Sequence, residues 1–264
     1  MWWEEQGAGL AAMQAKLSSL GYPVQRLNRD EIAMREPAIV PPQEALLFPD
    51  EGVAEAGDVT RRLLEASGAK VMLGSRVEAL VHNHRGIKGV RLAQGDLEAD
   101  QVIVAAGTGA EALLSSADVP LPIVHRPALL VCTKPVDITL THVLVGPHGE
   151  LRQLPDGRLL IPAAVNHQGV TAQGVGRPDR VADATMDRLR PFLPGRALDW
   201  ETVVHAARPV PKDGLPVIGR AADGLYVAVM HSGVTLAALT GALVAEELEG
   251  RLSNLLGPYR PQRF

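Results

Sequence analysis

The chain has 264 residues, and its 26 Lys and Arg against 30 Asp and Glu leave a formal net charge of −4. That balance argues against a nucleic-acid or anionic-membrane partner, which would call for basic excess, and 46% hydrophobic with 21% charged residues excludes a disordered chain. A single cysteine, Cys132, excludes a disulfide scaffold and a Cys-only metal site, and fits a reducing compartment.

Residues 5–20 carry Leu10, Met13, Leu17 and Leu20 at helical spacing, with Gly21 after them, which predicts an amphipathic helix and its stop. Asn28 is placed to cap a short helix, Asp30–Arg35, ended by Pro37. A short strand is expected at Leu46–Phe48. Asp58 is expected to cap a helix over Val59–Ala66 closed by Gly68. Lys70–Leu73 is expected to be extended, and Arg76–His82 with Ile87–Leu92 reads as a hairpin around Gly86. Leu97–Ala106 reads as a strand whose apolar end, Val102–Ala106, runs into Gly107 and the helix Ala110–Leu114. A buried run entering a Gly turn and a helix indicates an interior strand of an α/β sheet.

The middle third predicts strands at Ala128–Thr133, Ile138–Val145, Glu150–Gln153 and Arg158–Ala164, the last two joined by the turn Asp156-Gly157. Val181–Phe192 reads as a helix and Thr202–Ala207 as a strand. The Pro- and Gly-rich Arg208–Gly219 is expected to be irregular. Gly224–Ala245 carries no charged residue and is long enough to span a bilayer, but it contains His231, Ser232, Gly233, Thr235, Thr240 and Gly241. A strand (Leu225–Met230), a tight turn and a buried helix (Val234–Glu249) explain it better than a transmembrane segment. Met1 to Glu5 is acidic where a secretory leader would be basic, so a cytoplasmic protein is expected.

Few residues combine into chemistry. Gly7–Ala12 fits G-x-G-x-x-A but has no strand before it, and so reads as helix. Gly107–Ala112 follows a strand and precedes a helix; a phosphate-cradling turn and a plain strand-to-helix turn both remain open. His82 and His84 share a strand face at a charged hairpin tip and lack further ligands, so no metal site is expected. Arg208 closes an apolar strand. Its fork suits a carboxylate, and an internal pair with Asp213 is the alternative. His231-Ser232-Gly233 lies at the start of a long helix, where free N–H groups would hold an anion or merely be capped.

Taken in order, VIVAAGTGA (Val102–Ala110), RPVPKDGLPVIG (Arg208–Gly219) and YVAVMHSGVTLAALTGALVAEEL (Tyr226–Leu248) resemble the FAD-dependent D-amino-acid oxidase family, which includes glycine and sarcosine oxidases and amino-acid dehydrogenases. The resemblance implies an α/β (α+β) fold: an FAD/NAD(P)-binding Rossmann-like domain, here incomplete, with a discontinuous, mostly antiparallel substrate domain. The opening strand, GxGxxG turn and acidic residue of the family are not found, so the chain looks like a family member starting after its first FAD-binding segment. The expected division is 1–52 and 111–204 for the substrate domain, 53–110 and 205–264 for the FAD domain.

By the same resemblance, Val77 would touch the adenine side of FAD through its backbone. Ala105, Ala106 and Gly107 would lie near the pyrophosphate and ribityl chain. Gly219 and the turn His231, Ser232, Gly233, Val234, Thr235 and Leu236 would approach the flavin. Arg208 would grip the carboxylate of an amino acid or secondary amine whose hydride passes to flavin N5, the imine then hydrolysing. Two alternatives stand beside this: a non-catalytic fragment or subunit needing a second chain that supplies the missing FAD-binding segment, and a small-acid binding module.

Overall fold

A computed structural model describes residues 1–163 and 177–264. The described chain divides into two compact units, Met1–Ala54 with Pro127–Ala206, and Glu55–Arg126 with Ala207–Phe264. In chain order the first elements are α1 (Ala8–Ser19), β1 (Gln25–Asn28), α2 (Arg29–Arg35) and β2 (Glu44–Leu47). Asn28 caps α2 as expected: its side chain accepts from the Asp30 and Glu31 amides, and the Glu31 carboxylate accepts from the Asn28 amide.

Next come α3 (Ala56–Ser67), the antiparallel β3 (Val77–Asn83), β4 (Gly86–Leu92) and β5 (Gly95–Glu98), then β6 (Val102–Val104) and α4 (Ala110–Ser115). Asp58 does not cap α3 but lies inside its first turn, Glu55 being the N-cap; Gly68 ends the helix in the left-handed conformation. Lys70–Leu73 forms no strand and is wholly exposed. Leu97–Ala106 is broken into β5 and β6 because the two join different sheets: β5 pairs with β4, whereas β6 runs parallel to a later strand.

The remaining elements are β7 (Ile123–Thr133), β8 (Leu144–Gly146), β9 (Gly149–Gln153), β10 (Leu159–Pro162), α5 (Pro178–Leu189), β11 (Trp200–Pro211), β12 (Val217–Ala222), β13 (Leu225–Val229) and α6 (Ala237–Leu248). Ala164, the end of one expected strand, lies outside the described residues. Ile138–Val145 yields only the short β8, because backbone groups before it are satisfied by side chains: the Leu140 amide donates to Gln153 and the Thr141 amide to Glu36. Arg208–Gly219 is more regular than its prolines predict. Arg208–Pro211 completes β11, which lies at the edge of the five-stranded sheet β11-β7-β10-β9-β8, where a missing N–H breaks no ladder.

The first unit packs Val131, Leu151, Leu159 and Ile161 of its sheet against Met186 and Leu189 of α5, and buries Trp3 beside Phe192 at 5.5 Å between ring centres. The second unit buries Leu80, Val104, Leu114, Val217 and Val227 between β3, β6, α4 and the β12-β13 hairpin. Leu114, Leu121 and Ile123 belong to that core, so residues 111–126 group with the second unit rather than with the antiparallel first unit expected from sequence.

Candidate functional site

The second unit has one parallel contact that organises its chemistry. In the sheet β12-β13-β6, β6 and β13 are parallel neighbours, with Val102 opposite Leu225 and Val104 opposite Val227. Parallel neighbours end at the same edge of a sheet, and that carboxyl edge is where α/β folds bind ligands. The residues after β6 (Ala105, Ala106, Gly107) and those after β13 (His231 to Leu236) therefore leave the sheet side by side. Two stretches separated by over a hundred residues meet there.

Gly107 has φ of 56° and opens a 3₁₀ turn, Gly107–Gly109, that feeds α4. A side chain would be strained there. Val77, the first residue of β3, shares a cavity of about 590 Å³ with Arg76, Glu78, Ala106, Gly109, Ala112 and Leu113. The wall contributed by Ala106, Gly109 and Ala112 carries no side chain larger than a methyl group, so a ligand can approach the backbone closely. Val77 and Ala106, singled out separately from sequence, thus line one cavity.

His231, Ser232, Gly233, Val234 and Thr235 form an exposed turn before α6, and no side chain caps that helix. The helix dipole there is directed outward and favours negative charge. His231 Nδ1 lies 3.2 Å from Ser232 Oγ, and His231 Nε2 lies 3.5 Å from Nη1 of Arg208. A guanidinium can only donate, so Nε2 is the acceptor and Nδ1 carries the proton toward Ser232. Arg208 is half-buried on β11, and burial first, then the nearby Arg126, hold its pKa below the ordinary guanidinium value.

Asp213, the alternative counterion for Arg208, is engaged elsewhere. Arg263 donates to both of its oxygens at 2.6 and 3.0 Å and depresses its pKa. Gly219 is buried on β12 with φ of 150°, and a Cβ there would lie 3.0 Å from Arg260 and 3.1 Å from Pro261. Its small size accommodates the C-terminal segment. Sequence reasoning missed Arg126. No helix among the described residues is long and apolar enough to cross a membrane.

A family profile described as FAD dependent oxidoreductase (DAO) matches residues 1–247. Among curated relatives, the bifunctional protein ThiO/ThiG of Synechocystis is 29% identical over 237 residues, 82% of this chain and 34% of that one. An uncharacterized oxidoreductase of Halorhodospira halophila is 30% identical over 227 residues, 76% of this chain and 95% of that one. Glycine oxidase of Pseudomonas aeruginosa is 27% identical over 66% of this chain and 49% of its own length. The chain thus spans a third to a half of two of these relatives. Of solved structures, glycine oxidase from Geobacillus kaustophilus aligns with a TM-score of 0.78 at 24% identity, covering 97% of this chain and 71% of that one. An L-amino acid deaminase from Proteus myxofaciens aligns at 0.84 with 14% identity, covering 98% and 74%. Together with the mixed α/β architecture these matches establish that the chain belongs to the FAD-dependent oxidoreductase family of D-amino-acid oxidase type, whose members bind FAD.

Proposed function

We propose that this chain oxidises an amino acid or secondary amine, and that its FAD site is completed by a βαβ segment that is not among these 264 residues. The observation that carries the first half is the meeting of Arg208 with the turn that opens α6. FAD, when bound, supplies the acceptor for the hydride lost from the amine carbon.

The residues present fit one side of such a cofactor. The cavity at Val77, Ala106 and Gly109 has backbone-bare walls suited to a flat ring or a slender chain, and the uncapped amino end of α6 suits an electron-rich edge. Arg208 binds and orients the substrate carboxylate through its two-pronged donor face. His231 fixes the guanidinium by accepting from Nη1, and Ser232 sets the tautomer that lets it do so. The helix dipole of α6 disfavours positive charge and favours a neutral amine at the reacting carbon, so no dedicated base is required. These roles, and those of Ala105, Gly107, Gly219 and Val234 to Leu236, rest on the family and on position.

The proposed completion is supported by α3. This helix is amphipathic, yet none of its residues is buried, and Leu63 remains 61% exposed. Val71, Met72 and Leu73 continue the apolar surface beyond it. Strand β6 has β13 on one side and no strand on the other among the described residues, with Ile103 exposed. An open parallel edge and a bare helix face are each what a βαβ segment can cover. The segment belongs to the same polypeptide or to a partner chain.

The test is to express the chain with and without a GxGxxG-type βαβ segment, add FAD and follow flavin absorbance as amino acids are supplied anaerobically. Bleaching in the completed protein, lost by about two orders of magnitude in Arg208→Ala, supports the reading. A completed protein that never retains FAD contradicts it, and acid binding without any flavin would favour a binding module.

A further inference from the structure

Arg208 lies near the end of β11 and His231 just beyond β13, so their contact depends on how β11 joins the sheet that carries β13. The chain makes that join through residues 212–216, between Pro211, which ends β11, and Val217, which opens β12. Val217 lies opposite Val229, close before His231. A shift of this loop therefore changes the separation of Arg208 Nη1 from His231 Nε2, which is 3.5 Å. Burial does not hold the loop: Lys212, Asp213, Gly214 and Leu215 are exposed, and Gly214 has φ of 78°.

Hydrogen bonds from Arg263 hold it instead. The guanidinium grips both oxygens of Asp213 at 2.6 and 3.0 Å, and donates to the carbonyls of Leu215 at 3.1 Å and Arg260 at 3.2 Å. Asp213 also accepts from the Leu215 amide at 3.1 Å, and the Gly214 amide donates to the Pro211 carbonyl at 2.7 Å. The segment that carries Arg263 is itself fastened to β12 and α6. Gln262 donates to the Arg220 carbonyl at 2.7 Å, and Arg260 pairs with buried Glu247. Arg263 is thus a strut from β12 to the apex of the loop. A surface ion pair of this kind adds little stability, but a two-pronged pair fixes geometry.

We propose that Arg263 is a positioning residue: by pinning Asp213 it holds the end of β11 so that Arg208 meets His231 and presents its fork to the substrate carboxylate. This deepens the reading of Arg208 given above and rests on it. Arg263 touches neither the substrate nor the flavin, and acts only through Arg208.

The test is nitrogen-15 NMR of His231 together with calorimetric titration with butyrate, a carboxylate that has no amine to oxidise. At about pH 8.5 the imidazole is neutral, and in the wild type its proton sits on Nδ1 while Nε2 accepts from Arg208. Arg263→Gln should move His231 toward the Nε2–H tautomer, as Arg208→Ala does, and weaken butyrate about tenfold. Arg263→Lys keeps the charge and loses the fork, and should weaken butyrate about threefold. Asp213→Asn keeps an oxygen for the Leu215 amide and loses the ion pair. Added to Arg263→Gln, it should change the loss by less than about twofold, because both remove one interaction.

A His231 tautomer moved by Arg208→Ala but not by Arg263→Gln overturns the inference and leaves Arg208 as the carboxylate anchor. Butyrate affinity within about twofold of wild type in Arg263→Gln does the same, as do losses that simply add in the double variant. A tautomer that Arg208→Ala leaves unchanged, or a wild type that binds no butyrate, overturns the inference and the reading of Arg208 together. Melting curves show whether each variant stays folded, and Asp213→Asn carries the same test should Arg263→Gln unfold.

Discussion

Helices α3 and α5 have the same length, twelve residues, and each carries one apolar face. The face of α5 is covered: Ala182, Thr185, Met186 and Leu189 are buried in the first unit. The face of α3 is bare, and every residue from 51 to 74 is exposed. Amphipathic spacing states that a face needs a cover, and says nothing of where the cover is encoded. For α5 it lies in the same unit, in the sheet of β7, β9 and β10. For α3 nothing in the second unit provides it, and Val59, Leu63, Leu64, Val71, Met72 and Leu73 are left exposed, the kind of apolar surface that partners cover.

The comparison can be broken most severely by completing the second unit. With the βαβ segment supplied, amide exchange in α3 should slow by about two orders of magnitude or more, while exchange in α5 stays unchanged. Unaltered exchange in α3 would detach the bare face from the proposed cofactor site. Next in size, truncating the two faces should give opposite outcomes. Met186→Ala should cost about 2–5 kcal/mol in denaturant unfolding, and Leu63→Ala within about 0.5 kcal/mol while α3 is uncovered. Similar losses at both sites would mean that α3 is already packed.

A third test asks whether the second unit is stable apart from α3. Its C-terminal segment is held by buried Glu247, which accepts from Arg260, from the Ser253 amide and from the Tyr226 hydroxyl. Arg260 first, with those hydrogen bonds, holds the Glu247 carboxyl down at about 2, against burial that acts the other way. A depressed carboxyl pKa adds stability that is present above about pH 4.5 and is lost as the pH falls toward 2. Glu247→Gln should cost about 3 kcal/mol at neutral pH and flatten the acid limb of the melting curve. An unchanged acid limb would remove this clamp from the account. The smallest effect belongs to the covered unit: Asn28→Ala should cost about 1 kcal/mol through loss of the α2 cap, measured by thermal unfolding.

Much of this was legible in local pattern. The Asn28 cap, the β3-β4 hairpin, the Asp156-Gly157 turn and the Gly107 turn depend on residues within a few positions, and they were read correctly. What failed depended on distant partners. Asp58 has a capping side chain, but the helix starts two residues earlier. Pro209 and Pro211 argue against a strand unless it is known that β11 lies at an edge. The side chains of Glu36 and Gln153 displace the expected strand before Leu144, an exchange no window of neighbours reveals. In the candidate site, Arg208 and the His231 turn were visible as motifs, whereas the influence of Arg126 on Arg208 depends on two neighbouring strands some eighty residues apart in sequence.

The most direct test of the central claim is the anaerobic flavin spectrum of the chain completed with a GxGxxG-type segment and FAD. The account predicts retained flavin whose absorbance is bleached by an amino acid in the wild type and not in Arg208→Ala at the same concentration. A completed protein that binds no flavin, or one bleached equally with and without Arg208, would contradict it.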